Sequence, residues 1–229
     1  MRLDKYLANV TELSRTDAKK LIKSAQVTVD GEVLVDPKAD VTATALVQIN
    51  GETLRPATHR YFMLNKPQGY ISATKDREHL TVLDLLEEDN LQQLHIAGRL
   101  DIDTTGLVLI TDDGNWSHRV TTPKSDCKKT YWLETADPIL PEAIEKIEQG
   151  IHLSNEKRPT LPATLVLIHE QAARLTISEG KYHQVKRMFA AVGNKVEALH
   201  RERIGDICLD EDLLPGEYRR LTEAEVASV

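Results

Sequence analysis

The sequence predicts an α+β fold in two parts, a small domain at residues 1–57 and a larger domain at residues 58–229. Two short helical patterns followed by turn-linked strands predict the first part. In the second part strand patterns alternate with short helices, and the strands near 164–168 and 174–177 are too close in sequence for a crossover helix. We therefore expect the larger domain to be built on a mixed, mostly antiparallel sheet.

Helical spacing and a capping sequence define the start of the small domain. Leu3, Tyr6, Leu7 and Val10 fall on one face of a first helix. Ser14-Arg15-Thr16-Asp17 resembles a capping box, which places the start of a second helix at this point.

Two β-hairpins are expected to complete the small domain. The alternating segment 27–34 turns at Asp30-Gly31, and the segment 47–54 turns at Asn50-Gly51. The stretch 55–60 contains a proline and has no periodicity, so it is interpreted as a linker.

The larger domain contains apolar segments of strand length separated by helical patterns. Strands are expected near residues 61–65, 94–98, 106–111, 129–135, 162–169, 173–178 and 195–203. Helices are expected near residues 81–87, 113–121, 139–149 and 182–192. Pro141 suits a first helical turn, and Gly150 and Gly193 suit helix ends.

Composition restricts the possible classes of function. Hydrophobic residues make up 41% of the chain, and no stretch approaches the roughly 18 consecutive apolar residues of a membrane span. A cytoplasmic protein without membrane contact is expected. The two cysteines, Cys127 and Cys208, lack the spacing of a metal site, and the eight histidines are scattered. We expect no metal and no cofactor, since glycine motifs for phosphates or dinucleotides are also missing from the sequence.

The net charge of −7 does not favour binding to a long duplex through the overall field of the protein. A local basic stripe is present instead. Arg15, Lys19 and Lys23 are four residues apart and share one face of the second helix. This basic stripe either contacts RNA phosphates or is a solvated helix face, and the spacing alone leaves both interpretations open.

The segment from Gly98 to Leu107, Gly-Arg-Leu-Asp-Ile-Asp-Thr-Thr-Gly-Leu, is the most informative feature of the chain. Arg99 and Asp101 lie in a turn between two apolar strand segments. Charged groups at the edge of a buried sheet are costly unless they are used, which indicates an active-site loop. A solvated turn that holds an Arg–Asp ion pair accounts for the spacing equally well.

This segment resembles the G-R-L-D-x-x-T-[ST]-G-L signature of the pseudouridine synthases that modify ribosomal RNA. The segments 65–69, 128–132 and 179–188 are similar to other recurring motifs of the same family, in the same order. The likeness covers essentially the whole chain and implies the fold of that family.

The N-terminal part resembles the S4 RNA-binding domain. The matching residues are Arg2-Leu3-Asp4-Lys5, Ser14-Arg15 and the segment 27–31. This resemblance favours RNA binding by the basic stripe, with Arg15, Lys19 and Lys23 as the contacting residues.

The family resemblance implies isomerisation of a uridine that is flipped out of the RNA stack. Asp101 matches the catalytic aspartate, and Tyr131 matches the active-site tyrosine, whose ring can stack on the target base. Lys186 corresponds to the basic residue that pairs with the aspartate and favours its ionised form. Arg99 is similar to the arginine that enters the space left by the flipped base. Lys66, in the first motif, is assigned to RNA binding.

Other residues of these motifs are given supporting roles. His183 belongs to the start of the supporting helix in the family pattern. Asp103 suggests a glycosidase carboxylate pair, but two carboxylates in one tight loop cannot lie on opposite sides of a sugar, so Asp103 is expected to fix the loop. Ile177 or Val185 is expected to supply an apolar wall. Lys186 stands where relatives often have arginine, which leaves a point charge in place of a bidentate group.

The resemblance implies 16S rRNA, or a partly assembled small ribosomal subunit, as the partner. Uridine 516 is the expected target, and a monomer is expected. One alternative is a non-catalytic S4-type RNA-binding or ribosome-associated protein, and another is a nucleoside glycosidase that acts on small molecules. The joint presence of Asp101, Arg99, Tyr131 and Lys186 argues against the first, and an S4-like domain would not serve the second.

Overall fold

The computed structural model describes residues 1–11, 13–42, 44–54, 59–122, 125 and 127–229. The chain divides into two compact units, Met1–Thr58 and His59–Val229. Most of the stretch interpreted as a linker, residues 55–58, lies outside the described residues.

The first unit contains two helices and a four-stranded sheet. The helices are α1 (Leu3–Val10) and α2 (Arg15–Lys23). The strands are β1 (Val27–Val29), β2 (Glu32–Val33), β3 (Val47–Ile49) and β4 (Glu52–Thr53), in the antiparallel order β2-β1-β3-β4. Both residues of the Asp30-Gly31 and Asn50-Gly51 turns have positive φ, which confirms the predicted hairpins.

The predicted helix start and apolar faces of this unit are also confirmed. The Asp17 backbone N–H donates to Ser14 Oγ at 3.2 Å, so Ser14 caps α2. Leu7 of α1 and Ile22 of α2 have no exposed surface and pack in one apolar core with Val27 of β1.

The second unit is built on one large sheet. Its strands are β5 (Tyr61–Lys66), β6 (His95–Ala97), β7 (Thr105–Thr111), β8 (Lys129–Thr135), β9 (Thr164–His169), β10 (Ala172–Ile177), β11 (Val196–Ile204), β12 (Ile207–Cys208) and β13 (Tyr218–Arg220). The order is β13-β5-β7-β11-β8-β10-β9, with β6 paired to β7 and β12 paired to β11. The pair of β7 and β11 is parallel and the other pairs are antiparallel, which confirms a mixed, mostly antiparallel sheet.

Short helices connect these strands. They are α3 (Gly114–Thr121), α4 (Pro141–Gln149), α5 (Gln184–Ala191) and α6 (Glu223–Ala227), with 3-10 turns at Val82–Leu85 and Leu91–Gln93. Within the described ranges, no helix has the length and apolar character needed to cross a membrane.

Some sequence expectations need correction. The helix expected at 81–87 is a 3-10 turn of four residues. The strands β12 and β13 and the helix α6 were not predicted. Each is five residues or shorter, too short for hydrophobic periodicity to be recognised.

Both faces of the sheet are buried at β5, which explains the continuous apolar run of this strand. Phe62 and Leu64 face one apolar cluster, whereas Met63 between them faces another. At the centre, a Cβ on Gly106 of β7 would lie 2.4 Å from the carbonyl oxygen of Arg201 on β11. Only glycine allows these two strands to approach so closely.

Candidate active site

A cavity of about 480 Å³ lies where three of the four motif segments meet. Arg99 and Asp101 line it from the loop between β6 and β7, Tyr131 from β8, and Lys186 from α5. The fold therefore brings together four of the predicted site residues from three segments that are far apart in the sequence.

Two basic side chains lie beside the two carboxylate oxygens of Asp101. His183 Nε2 is 3.3 Å from Oδ1, and Lys186 Nζ is 3.8 Å from Oδ2. The Asp101 side chain remains 30% exposed, so a ligand in the cavity can reach it. The ion pair expected between Lys186 and Asp101 is present, and His183 lies nearer to the carboxylate than its supporting role suggested.

Lys186 is shared between two aspartates of the loop. Its Nζ lies 2.5 Å from Asp103 Oδ1, closer than to Asp101. Burial opposes ionisation of Asp103, but the hydrogen bond and charge of Lys186 outweigh it and hold the pKa of the Asp103 carboxyl below its usual range. Asp103 thus fixes Lys186 to the loop, which agrees with its expected loop-fixing role.

Lys66, at the end of β5, has no exposed surface. Its Nζ donates to the backbone carbonyls of Thr104, Pro67 and Ile102 at 2.7, 3.0 and 3.3 Å. Burial lowers the pKa of the Lys66 ammonium to about 8, although nearby carboxylates oppose this shift. The RNA contact predicted for Lys66 is wrong, because a fully buried ammonium cannot reach a phosphate. Lys66 instead holds the loop that carries Asp101.

Arg201, on β11, is a site residue that the sequence analysis missed. Its guanidinium is buried and donates to the carbonyls of Gly98 at 2.6 Å, Leu107 at 2.8 Å and Arg99 at 3.3 Å. These carbonyls lie on both sides of Asp101, so Arg201 joins the two ends of the loop. The sequence contains a signal for this burial. Side chains two residues apart on a strand share a face, so Arg201 lies on the same inward face as the apolar Leu199.

Tyr131 is positioned by the same arginine. Its side chain is buried, and Arg201 Nη1 donates to its hydroxyl at 3.4 Å. The guanidinium carbon also lies 5.9 Å from the centre of the Tyr131 ring. The ring lines the cavity and belongs to its apolar wall, as required for a surface that stacks on a base.

The remaining lining residues complete the wall and the entrance. Ile177 and Val185 both line the cavity, so both supply the apolar wall that was expected from one of them. Arg99 is exposed at the entrance, with no side-chain hydrogen bond or ion pair to the residues that the structure describes. The Thr104 hydroxyl is buried and lacks a hydrogen-bond partner in that part of the chain.

Two of the three residues of the basic stripe on α2 lie beside a buried carboxylate. Arg15 Nη2 and Lys19 Nζ lie 3.4 and 4.0 Å from Asp4, which has no exposed surface, and Arg2 binds the same group at 2.8 Å. Burial opposes ionisation of Asp4, but Arg2 and Arg15 outweigh it and keep the pKa of this carboxyl below its usual range. Lys23 is exposed at the end of α2 and takes no part in this cluster.

Among the residues described, no three or more histidine, cysteine or carboxylate side chains are grouped to hold a metal ion. The side chains at the cavity that can take part in chemistry around Asp101 include the amine of Lys186, the imidazole of His183 and the phenol of Tyr131.

Comparison with known proteins identifies the class of this fold and site. Residues 60–191 match the RNA pseudouridylate synthase family, and residues 1–47 match the S4 domain. Proteins named ribosomal small subunit pseudouridine synthase A from Yersinia pestis and Escherichia coli strain K12 are each 54% identical over 230 residues. These alignments cover 100% of this chain and 98% and 100% of the two relatives. A crystal structure of a pseudouridylate synthase is 46% identical, with a TM-score of 0.73 and coverage of 100% of this chain and 99% of that chain.

The chain belongs to the RNA pseudouridylate synthase family. It is an isomerase that acts on RNA, converting uridine to pseudouridine, and it combines an S4 domain with a pseudouridine synthase domain. The family resemblance found in the sequence motifs is thereby confirmed.

Proposed function

We propose that this chain converts uridine 516 of 16S rRNA to pseudouridine, in the free RNA or in a partly assembled small ribosomal subunit, and acts as a monomer in the cytoplasm. The observation that carries the proposal is the Asp101 carboxylate, held at a cavity between His183 and Lys186. The names of the 54% identical relatives support the small ribosomal subunit as the substrate.

The reaction needs a carboxylate at the junction of base and sugar. The bond from a base nitrogen to ribose breaks, a bond from a base carbon forms, and one proton leaves that carbon while one is gained at the nitrogen, so no electrons are exchanged. We assign the carboxylate to Asp101, which the adjacent Lys186 and His183 keep in place. Tyr131 stacks on the flipped uracil, and the buried walls retain the detached base in the cavity.

Arg99 and the basic stripe are assigned to RNA binding. Arg99 is exposed at the cavity entrance, where its guanidinium can take the place of the flipped base or bind a phosphate. Residues 1–57 tether the rRNA through Arg15, Lys19 and Lys23, and residues 58–229 carry out the isomerisation. This division places affinity largely in one part of the chain and chemistry in the other.

A genetic complementation experiment tests this proposal. Pseudouridine is mapped in 16S rRNA from cells that lack the gene, and from the same cells supplied with the wild type or Asp101→Asn. We expect the modification at uridine 516 to disappear, to return with the wild type and to stay absent with Asp101→Asn. The amide keeps the size of the side chain, so purified Asp101→Asn should bind RNA within about threefold of the wild type, because phosphate contacts dominate affinity.

Three outcomes would contradict the proposal in different ways. If cells that lack the gene lose pseudouridine at a different position, uridine 516 is not the target, and the role of Asp101 is unaffected. Substantial turnover by purified Asp101→Asn would show that the reaction does not need the Asp101 carboxylate. An inactive wild type that still binds 16S rRNA would favour the non-catalytic RNA-binding alternative.

A further inference from the structure

An exposed aromatic side chain lies at the mouth of the cavity and has no part in the reaction described above. Tyr182 is 73% exposed, the highest value for a large apolar or aromatic side chain in the described ranges. One face of its ring lies on the His183 imidazole, with 3.7 Å between ring centres and 20° between the planes. The opposite face of the Tyr182 ring is open to solvent.

One contact supports this ring from below, and another holds the backbone of the same residue. His183, beneath it, has Nε2 3.3 Å from Asp101. The Tyr182 carbonyl accepts a hydrogen bond of 3.0 Å from Arg187 Nη1 on α5. The Tyr182 ring is therefore stacked on a histidine that itself contacts the Asp101 carboxylate.

A loop at residues 154–158 is attached to the same place. Arg187 Nη1 lies 3.3 Å from Glu156 Oε1, so one guanidinium binds both this loop and the Tyr182 backbone. Lys181 Nζ donates to the carbonyl oxygen of Arg158 at 3.4 Å. The loop is therefore attached to Lys181 and Arg187, which lie on either side of Tyr182 in the sequence.

This loop contributes positive charge that no described neighbour compensates. Glu156 is already paired with both Arg187 and Lys181. Lys157 and Arg158 are exposed, and neither forms an ion pair with a described residue. Exposed cations on a loop attached on either side of an exposed aromatic residue are suited to a single-stranded nucleotide, with its phosphate on the cations and its base on the ring.

We propose that Tyr182, stacked on His183, and the cations Lys157 and Arg158 form an outer subsite that holds a nucleotide next to the target uridine in the same RNA strand. The neighbouring base stacks on the open face of Tyr182, and its phosphate lies against the two cations. The proposal rests on the proposed function, because the target uridine must occupy the cavity beside Asp101.

Base flipping gives this subsite a physical purpose. Extruding the target uridine removes a stacking partner from each neighbouring base. Tyr182 replaces one of these partners, and any base can use it because every base has a π-face. The subsite contributes affinity and correct placement of the uridine without reading the sequence.

Steady-state kinetics separates this role from a structural one. Tyr182→Ala is expected to raise KM about tenfold or more, the effect of losing one base stack, while kcat stays near the wild-type value. Tyr182→Phe keeps the ring and should behave as the wild type. A fall in kcat without a rise in KM would mean that Tyr182 only supports His183, and it would overturn the subsite.

A modified RNA tests the stacking partner directly. An abasic nucleotide is placed on the 5′ or the 3′ side of the target uridine, in an RNA that the wild type modifies. On one of the two sides it should weaken wild-type binding to the level of Tyr182→Ala and have no further effect on that variant. Equal effects on both proteins at both positions would show that neither neighbouring base stacks on Tyr182.

The cations are tested by the salt dependence of binding. Lys157→Gln combined with Arg158→Gln should reduce the slope of log affinity against log salt by about one to two charges. Lys146→Gln on α4, outside the cavity lining, is the matched control and should keep the slope. An unchanged slope in the double variant would show that Lys157 and Arg158 do not bind a phosphate of the RNA.

Failure of the subsite can be distinguished from failure of the proposed function. Fluorescence of 2-aminopurine placed beside the uridine reports base stacking without turnover. Quenching by the wild type but not by Tyr182→Ala supports the subsite even if 16S rRNA is not the substrate. The same signal from both proteins overturns the subsite even if uridine 516 is modified.

Discussion

The basic residues around the Asp101 loop differ from those on α2 in what their charges bind. Lys66 and Arg201 are buried, and their N–H groups are used by backbone carbonyls of the loop. Arg15 and Lys19 are half exposed and share one buried carboxylate, so part of each cation faces solvent. Buried cations of the first kind define the shape of the site, whereas cations of the second kind are available to phosphates.

This difference predicts two kinds of mutant. Loss of a buried cation leaves backbone carbonyls without donors, so both loop geometry and turnover should change. Loss of an exposed cation should change RNA affinity and its dependence on salt, with little effect on the chemical step. The following variants test whether the two groups separate in this way, in order of expected effect.

Arg201→Met should have the largest effect. It removes donors from the carbonyls of Gly98 and Leu107 on the two sides of Asp101, and we expect the free energy of unfolding to fall by about 3 kcal/mol or more. Activity should fall by about a hundredfold or more, because the loop and Tyr131 lose their shared support. Thermal unfolding and single-turnover rates, measured below the unfolding transition, check both effects.

The matched control lies two residues further along the same strand. Arg203 is exposed and binds Asp206 at 2.9 Å, so Arg203→Met should change stability by about 1 kcal/mol at most. Equal effects of Arg201→Met and Arg203→Met would show that burial of Arg201 is not important.

Lys66 should make activity and stability respond to pH in opposite directions. Below a pH of about 8 its ammonium has three donors, one each for the carbonyls of Thr104, Ile102 and Pro67. Above that pH the neutral amine has only two, so the support of the Asp101 loop should weaken and kcat should fall as pH rises through about 8. Because the folded pKa lies below the usual 10.5, the unfolded chain binds the extra proton between about 8 and 10.5. The contribution of Lys66 to stability should therefore rise with pH across this range.

Lys66→Met removes the titrating group and tests this assignment. Its kcat should be lower by about tenfold or more, because loop carbonyls lose their donors, and its pH profile should lack the step near 8. Lys146→Met, on α4 and outside the cavity lining, should keep the wild-type profile. A step near 8 that persists in Lys66→Met would have to come from another group.

The fold and the site differ in how much the sequence reveals. Alternating strands, Asp-Gly and Asn-Gly turns and the Ser14 cap are local patterns, and the elements predicted from them are present. The family motifs identified residues that line the cavity, including Asp101 and Tyr131. Both depended on signals within a few residues of one another.

The two buried cations show where this information ends. Lysine and arginine are usually exposed, which is why an RNA contact is the ordinary expectation for Lys66 and why burial of Arg201 is unexpected. Arg201 reaches carbonyls about a hundred positions earlier in the chain, and only the parallel pairing of β7 with β11 creates that contact. Burial of a charged side chain can be predicted only when the backbone groups that it binds are known, and these depend on the pairing of distant strands.

Lys186 lies between the two groups, since it is partly exposed but holds both carboxylates of the loop. Lys186→Met should lower kcat by about tenfold or more and leave RNA affinity nearly unchanged. Because Lys186 keeps the pKa of Asp103 low, this pair stabilises the wild type above the ordinary aspartate pKa, and the stabilisation is lost as pH falls through the lowered value. The variant should lack that loss at acidic pH.

Lys186→Arg is the control for this prediction, because it restores a positive charge at the same position. It should recover much of the activity that Lys186→Met loses. Equal activity of Lys186→Met and the wild type across the pH range would show that the carboxylates do not need this cation.

The smallest effect on turnover is expected from the basic stripe. Replacing Arg15, Lys19 and Lys23 with glutamine should weaken rRNA binding and reduce the salt dependence by about one charge for each phosphate that the variant no longer binds. At saturating RNA the chemical step should be close to that of the wild type, because no stripe residue lines the cavity.

The buried Asp4 makes this last prediction sharper. Arg15 and Lys19 lie near it, whereas Lys23 does not, so only the first two substitutions should also cost stability. Arg2 still binds Asp4 at 2.8 Å in each variant and should limit that loss. Lys23→Gln alone should therefore change the salt slope without changing the unfolding temperature. If all three single variants keep the wild-type slope, α2 is a solvated face, and the RNA must be bound by other residues.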